Sequence, residues 1–133
     1  MIWMLDTNAV SDLVRIHATL SRRVRSVPMS QLVISAITEA EVLYGLAKRP
    51  SAKTLHITVH ELLLRLDVLP WTHEAAQRYG VLRADLEKRG ESLSSLDCLI
   101  AAHALSSGAT LITRDKAFRQ VPNLSIEDWT IPN

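Results

Sequence analysis

Short apolar runs alternate with longer stretches in which apolar side chains return every three or four residues, and the alternation repeats along the chain. Ile2–Leu5, Gln31–Ala36 and Ala109–Thr113 read as buried strands. Asp67–Trp71 is strand-like, but Pro70 confines it to a sheet edge or a strand end. Leu124–Ile126 reads as a last short strand. Between these runs the period is helical. Ala9–Arg15 gathers Val10, Leu13 and Val14 on one face, and Ala18–Val27 is stopped by Pro28. Thr38–Lys48 closes before Pro50. Ser51–Arg65 is amphipathic, with Leu55, Val59, Leu62 and Leu63 on one side. Thr72–Arg89 runs from a threonine cap to Gly90. Strands alternating with helices predict a three-layer α/β/α sandwich with a mainly parallel sheet.

The stretch Ser94–Asp115, SSLDCLIAAHALSSGATLITRD, is the most informative. Ser94 or Ser95 caps a helix whose first turn holds Asp97, and Gly108 ends it. The strand Ala109–Thr113 then delivers Arg114 and Asp115 at its carboxyl end. Asp6 follows the first strand in the same way. The carboxyl ends of parallel strands are where open α/β sheets place ligands.

Each acid also has a local explanation. Asp6 can cap the helix that follows it. Thr38 and Glu41 have the spacing of a capping box, with Ile37 and Val42 as its hydrophobic staple. Asp97 suits the positive end of its helix dipole. Asp12, one turn beyond Asp6, reads as solvated. Local mechanics do not explain why acids at three helix starts and one strand end fall on one side of a parallel sheet. Carboxylates held close together repel and retain protons unless a cation offsets them. Hard oxygen ligands of this kind suit Mg²⁺, with Mn²⁺ as its substitute.

Composition narrows the class. A chain of 133 residues is expected to form one domain, residues 1–133, with a core of its own. It is 47% hydrophobic and only 5% aromatic, an aliphatic globule. No apolar run approaches the roughly 18 residues of a membrane span. MIWMLD meets an aspartate too early for a signal peptide, and the single Cys98 excludes an internal disulfide, so the expected location is the cytoplasm. The formal net charge is +1; setting aside the four negative charges of Asp6, Glu41, Asp97 and Asp115 leaves +5 on the remainder. An acidic spot in a basic surround suits an anionic substrate approaching a metal site, although an ordinary mixed surface gives the same total.

MLDTNAVSDLVR, SAITEAEVLYGL and LDCLIAAHALSSGATLITRD resemble, in order, the three signature blocks of PIN-domain ribonucleases, and more narrowly of the VapC toxins of bacterial toxin–antitoxin pairs. The likeness runs from about Met1 to Trp129. It implies that Asp6, Glu41 and Asp97 are the core catalytic, metal-binding acids and Asp115 the fourth, more variable one, often Asn in relatives. Glu41 rather than Glu39 matches, because it precedes Val42-Leu43-Tyr44-Gly45. Asn8 and Thr113 match polar positions that orient carboxylates or water. The implied chemistry is endonucleolytic hydrolysis of RNA, tRNA being one candidate, by metal-activated water. The implied partners are a second copy in a homodimer and a VapB-type antitoxin, through which operator DNA is bound. Arg15, Arg22, Arg23, Arg25, Arg114 and Lys116 are candidates for phosphate contact.

Two other classes remain open on this scaffold. A phosphoryl-transfer or receiver-like module would use Asp6 as acceptor, yet Asn8 stands where a second acid is wanted. A non-catalytic interaction domain would need none of the acids. The remaining features read as structure. His56 and His60 lie one turn apart on a surface helix, outside the HExxH pattern. His103 reads as a packed or hydrogen-bonded helix histidine, and Trp3, Trp71 and Trp129 as core or edge packing.

Overall fold

The strands are two to four residues of mostly apolar side chains, short enough that the helices between them dictate the layout. A computed structural model describes residues 1–132. The order is β1 (Trp3–Leu5), α1 (Thr7–Val14), α2 (Ala18–Arg25), β2 (Leu32–Ser35), α3 (Ala36–Ala47), α4 (Lys53–Arg65), β3 (Asp67–Leu69), α5 (His73–Lys88), α6 (Ser95–Ser107), β4 (Thr110–Ile112) and β5 (Ile126–Glu127). The sheet is parallel throughout, in the order β3-β2-β1-β4-β5. Its edges are β3, ended by Pro70, and the two-residue β5.

Side chains on a strand alternate between faces, and this splits the core in two. Met4, Val33 and Leu111 pack under α5 and α6 with Leu82, Leu86, Cys98 and Ile100. Leu5, Leu32, Ile34 and Ile112 pack on the other face with Val10, Leu20, Val24 and Trp129. The result is the expected three-layer sandwich. Helix α3 touches both layers, sending Ile37 toward the first core and Val42 toward the second.

Helix ends follow the expected chemistry in most places. Thr72 caps α5, Ser94 caps α6, and Gly108 terminates α6 in the left-handed conformation at φ 68°. The start of α3 differs. Ser35, not Thr38, is its cap: the Ser35 hydroxyl accepts the Ile37 amide at 3.0 Å, and the helix begins at Ala36. Thr38 is therefore inside the helix, fully buried, its hydroxyl without a partner among the described residues. Glu41 falls in the second turn, beyond reach of a capping box. Asp12 also departs from expectation. It is buried, and its carboxylate meets Arg114 Nε at 3.0 Å.

Candidate active site

The strand order reverses between β1 and β4, since the chain moves outward on one side through β2 and β3 and on the other through β5. Such a switch point opens a crevice at the carboxyl ends of the two central strands. Leu5 pairs with Ile112, and the Asp6 amide donates to the Ile112 carbonyl at 3.1 Å, so Asp6 leaves β1 beside Thr113 leaving β4. Asp6 Oδ1 accepts the Ala9 amide at 2.8 Å as the cap of α1. Thr113 is 4% exposed and hydrogen-bonds the Asp6 carboxylate, while its hydroxyl accepts the Asp115 amide at 3.0 Å. One threonine thus sets two acids. Asp115 in turn caps the following 3-10 turn, Lys116–Gln120, through the Ala117 amide at 2.9 Å.

The other two acids arrive from helices. Asp97 lies in the first turn of α6, its amide donating to the capping Ser94 hydroxyl at 3.1 Å. Glu41 reaches across from α3, and Thr7 Oγ1 donates to its Oε1 at 2.6 Å. Thr7 is the residue that sequence reasoning missed. Its only signal was position, directly after Asp6, where a hydroxyl on the first turn of α1 can face the same crevice.

The electrostatics join the four acids. Burial raises Asp6 from 3.8 to about 6, against the lowering effect of the Thr113 and Ala9 hydrogen bonds, and the charges of Asp97 and Asp115 add to the rise. Asp97 is also raised, by burial first and then by Asp115 and Glu41, partly offset by Ser94. Asp6 thus feels carboxylates as far as 109 positions along the chain, and Asp97 is reached by Glu41 from α3. No ion pair among the described residues reaches any of them. The arrangement is open rather than a closed cage: among the described residues no three acidic, histidine or cysteine side chains stand ready as a ligand set. As a donor set it fits a hard divalent cation, which would relieve the mutual repulsion and could keep water in its open positions.

The remaining candidates separate by environment. Asn8 is exposed on α1, whereas Thr113 is buried between acids. Arg114 is held by Asp12, and Arg23 pairs with Glu127 at 3.5 Å while lying 5.3 Å over the Trp129 ring. Arg15, Arg22, Arg25 and Lys116 are exposed. His56 Nε2 bonds the Arg49 carbonyl at 2.9 Å. Cys98 is buried, its thiol raised by burial, and is no ready nucleophile.

A PIN domain family model matches residues 3–124. The chain belongs to the PIN-domain family. Within it, this PIN domain is similar to Ribonuclease VapC2 of Rickettsia felis, at 33% identity over 97% of the chain and 98% of the relative. It is 32% identical to the tRNA(fMet)-specific endonuclease VapC of Salmonella typhimurium, over 96% of this chain and 97% of that one. The PIN fold superposes with a TM-score of 0.90 on VapBC2 from Rickettsia felis bound to a DNA fragment from its promoter, at 32% identity, covering 97% of this chain and 99% of that chain. DNA-bound VapBC from Salmonella typhimurium matches equally well, at 32% identity and a TM-score of 0.90, with 97% and 98% covered.

Proposed function

We propose that this PIN domain is a divalent-metal-dependent endoribonuclease, the toxin of a VapBC-type pair. One observation carries the reading: Asp6 feels the charges of Asp97 and Asp115, Asp97 those of Asp115 and Glu41, and among the described residues no cationic side chain pairs with any of the four. A fold stabilised only by local caps has no reason to bring these charges together. These acids would hold a Mg²⁺ or Mn²⁺ ion, which would supply Lewis acidity and water activation for phosphodiester hydrolysis.

The chain's own residues do the positioning. Thr113 orients Asp6 and Asp115, Thr7 orients Glu41, and Ser94 sets the helix turn that presents Asp97. These bonds limit how far each carboxylate swings, the pre-organisation that a hydrolytic site needs. Arg15, Arg22, Arg25 and Lys116 supply positive potential for an RNA backbone, which sets affinity more than sequence choice. Relatives named as tRNA(fMet)-specific endonucleases support tRNA as the substrate class. Neighbouring VapBC complexes, two of them on DNA, support a VapB-type antitoxin as partner, with operator DNA bound through it; a homodimer and a cytoplasmic location complete the proposal. No helix among the described residues is long and apolar enough to cross a membrane.

The test is cleavage of a labelled tRNA with Mg²⁺, Mn²⁺ or a chelator, for the native chain and Asp97→Asn. Cleavage only with metal, and only by the native chain, is expected. Equal cleavage by both proteins overturns the assignment, and none by either favours a non-catalytic interaction domain.

A further inference from the structure

The nuclease reading leaves one buried titratable side chain without a role. His103 lies on α6, six residues beyond Asp97 and so about 9 Å along the helix axis, and is 2% exposed. Its Nδ1 stands 2.7 Å from the Ser35 hydroxyl. That hydroxyl already accepts the Ile37 amide as the cap of α3, so its own hydrogen is available and Nδ1 accepts it. The ring also hydrogen-bonds the backbone of Pro70. Proline has no N–H, so the imidazole is the donor toward that carbonyl, and a neutral ring, one nitrogen donating and one accepting, can serve both partners. Trp71 meets the ring edge-on, with centroids 5.4 Å apart and planes at 78°.

An apolar side chain would fill this space without the desolvation cost of an imidazole. Apolar packing, however, is non-directional: it sets how closely α3 and α6 approach but not how they slide past each other. A hydrogen bond between the cap of one helix and the interior of the other does fix that register. Glu41 and Asp97 are the site acids those two helices carry, and among the described residues no hydrogen bond or ion pair joins them directly.

We propose that His103 is a positioning residue of the acidic site, its bond to Ser35 locking the start of α3 against α6 and so setting the separation of Glu41 from Asp97. The inference rests on the nuclease reading. Its test is Mn²⁺ binding by calorimetry on the full-length chain, with kcat and KM for labelled RNA measured in parallel. His103→Leu, folded by circular dichroism, is expected to bind Mn²⁺ about tenfold more weakly and to lose kcat with KM little changed. His103→Asn keeps an acceptor for Ser35 in its amide oxygen and returns affinity to within about twofold of the native chain. Should His103→Leu fail to fold, Ser35→Gly removes the hydroxyl while glycine remains a tolerated cap, and the same loss is expected. Native affinity and kcat in folded His103→Leu or in Ser35→Gly overturn the proposal, as do equal losses in His103→Leu and His103→Asn. Asp97→Asn is titrated alongside. Native Mn²⁺ binding by that variant sinks the site reading itself, whereas loss there with none in His103→Leu sinks only the role given to His103.

Discussion

Two charged regions, one at the edge strand β5 and one at the ends of the central strands β1 and β4, treat charge in opposite ways. At the β5 corner Glu127 accepts from both Arg23 and the Trp129 indole, and the Arg23 guanidinium lies over the Trp129 ring. Charge there is neutralised within the chain. At the carboxyl ends of β1 and β4, the Asp6, Glu41 and Asp115 carboxylates accept from a hydroxyl or a backbone amide, and among the described residues no cationic side chain pairs with them or with Asp97. The corner is a fastening, complete as it stands. The crevice holds repulsion that the chain itself does not relieve, and such imbalance marks a site for an external cation.

The largest effect that would separate the two regions is on chemistry. Asp97→Asn should lower RNA cleavage about 1,000-fold or more, since several kcal/mol of transition-state stabilisation pass through the metal, with its melting temperature unchanged or higher; single-turnover kinetics measure it. The next is on stability without metal. Asp6, held at about 6 rather than 3.8, keeps a proton in the folded chain that the unfolded chain releases. The folded state thus binds more protons between about pH 4 and pH 6, and its stability falls as pH rises through that window, by on the order of 3 kcal/mol. Thermal melts with a chelator should show this slope in the native chain and a flatter one in Asp6→Asn. A native slope as flat as the variant's would mean that burial and neighbouring charge do not hold Asp6 protonated.

Smaller changes refine the contrast. Thr7→Val leaves Glu41 without its donor and should weaken Mn²⁺ binding and kcat by about tenfold. An unaltered titration would move Thr7 out of the site. Arg23→Ala should cost only about 1 kcal/mol in urea denaturation, because the Arg23–Glu127 pair is partly open to solvent and the ring contact adds a modest share. Cleavage and its salt dependence should hold. A fall in kcat/KM with unchanged stability would instead make Arg23 a phosphate contact.

How legible each part was depended on the range of its cause. Asp6, Asp97 and Asp115 could be placed from their neighbours, because a strand end or a first helical turn puts a side chain at the sheet edge whatever the distant chain does. The cap of α3 misled. Thr38 has the better local pattern, but Ser35 is held at the end of a buried strand, where its hydroxyl meets both the Ile37 amide and His103. Asp12 read as solvated because its partner, Arg114, is 102 positions away. Thr7 was passed over for the same reason, with Glu41 lying 34 positions on.

By itself the sequence determined the alternation of strands and helices, the two-faced core and which acids end which elements, all consequences of periods of two and of 3.6 residues. Its three signature blocks also carried the family. Tertiary structure alone decided that β1 and β4 lie side by side with the chain diverging from them, and that Thr7, Thr113 and His103 became the supports of particular acids and helices. Those are contacts between remote segments, selected by the packing of whole layers, and no local pattern encodes a partner that only the finished core brings near.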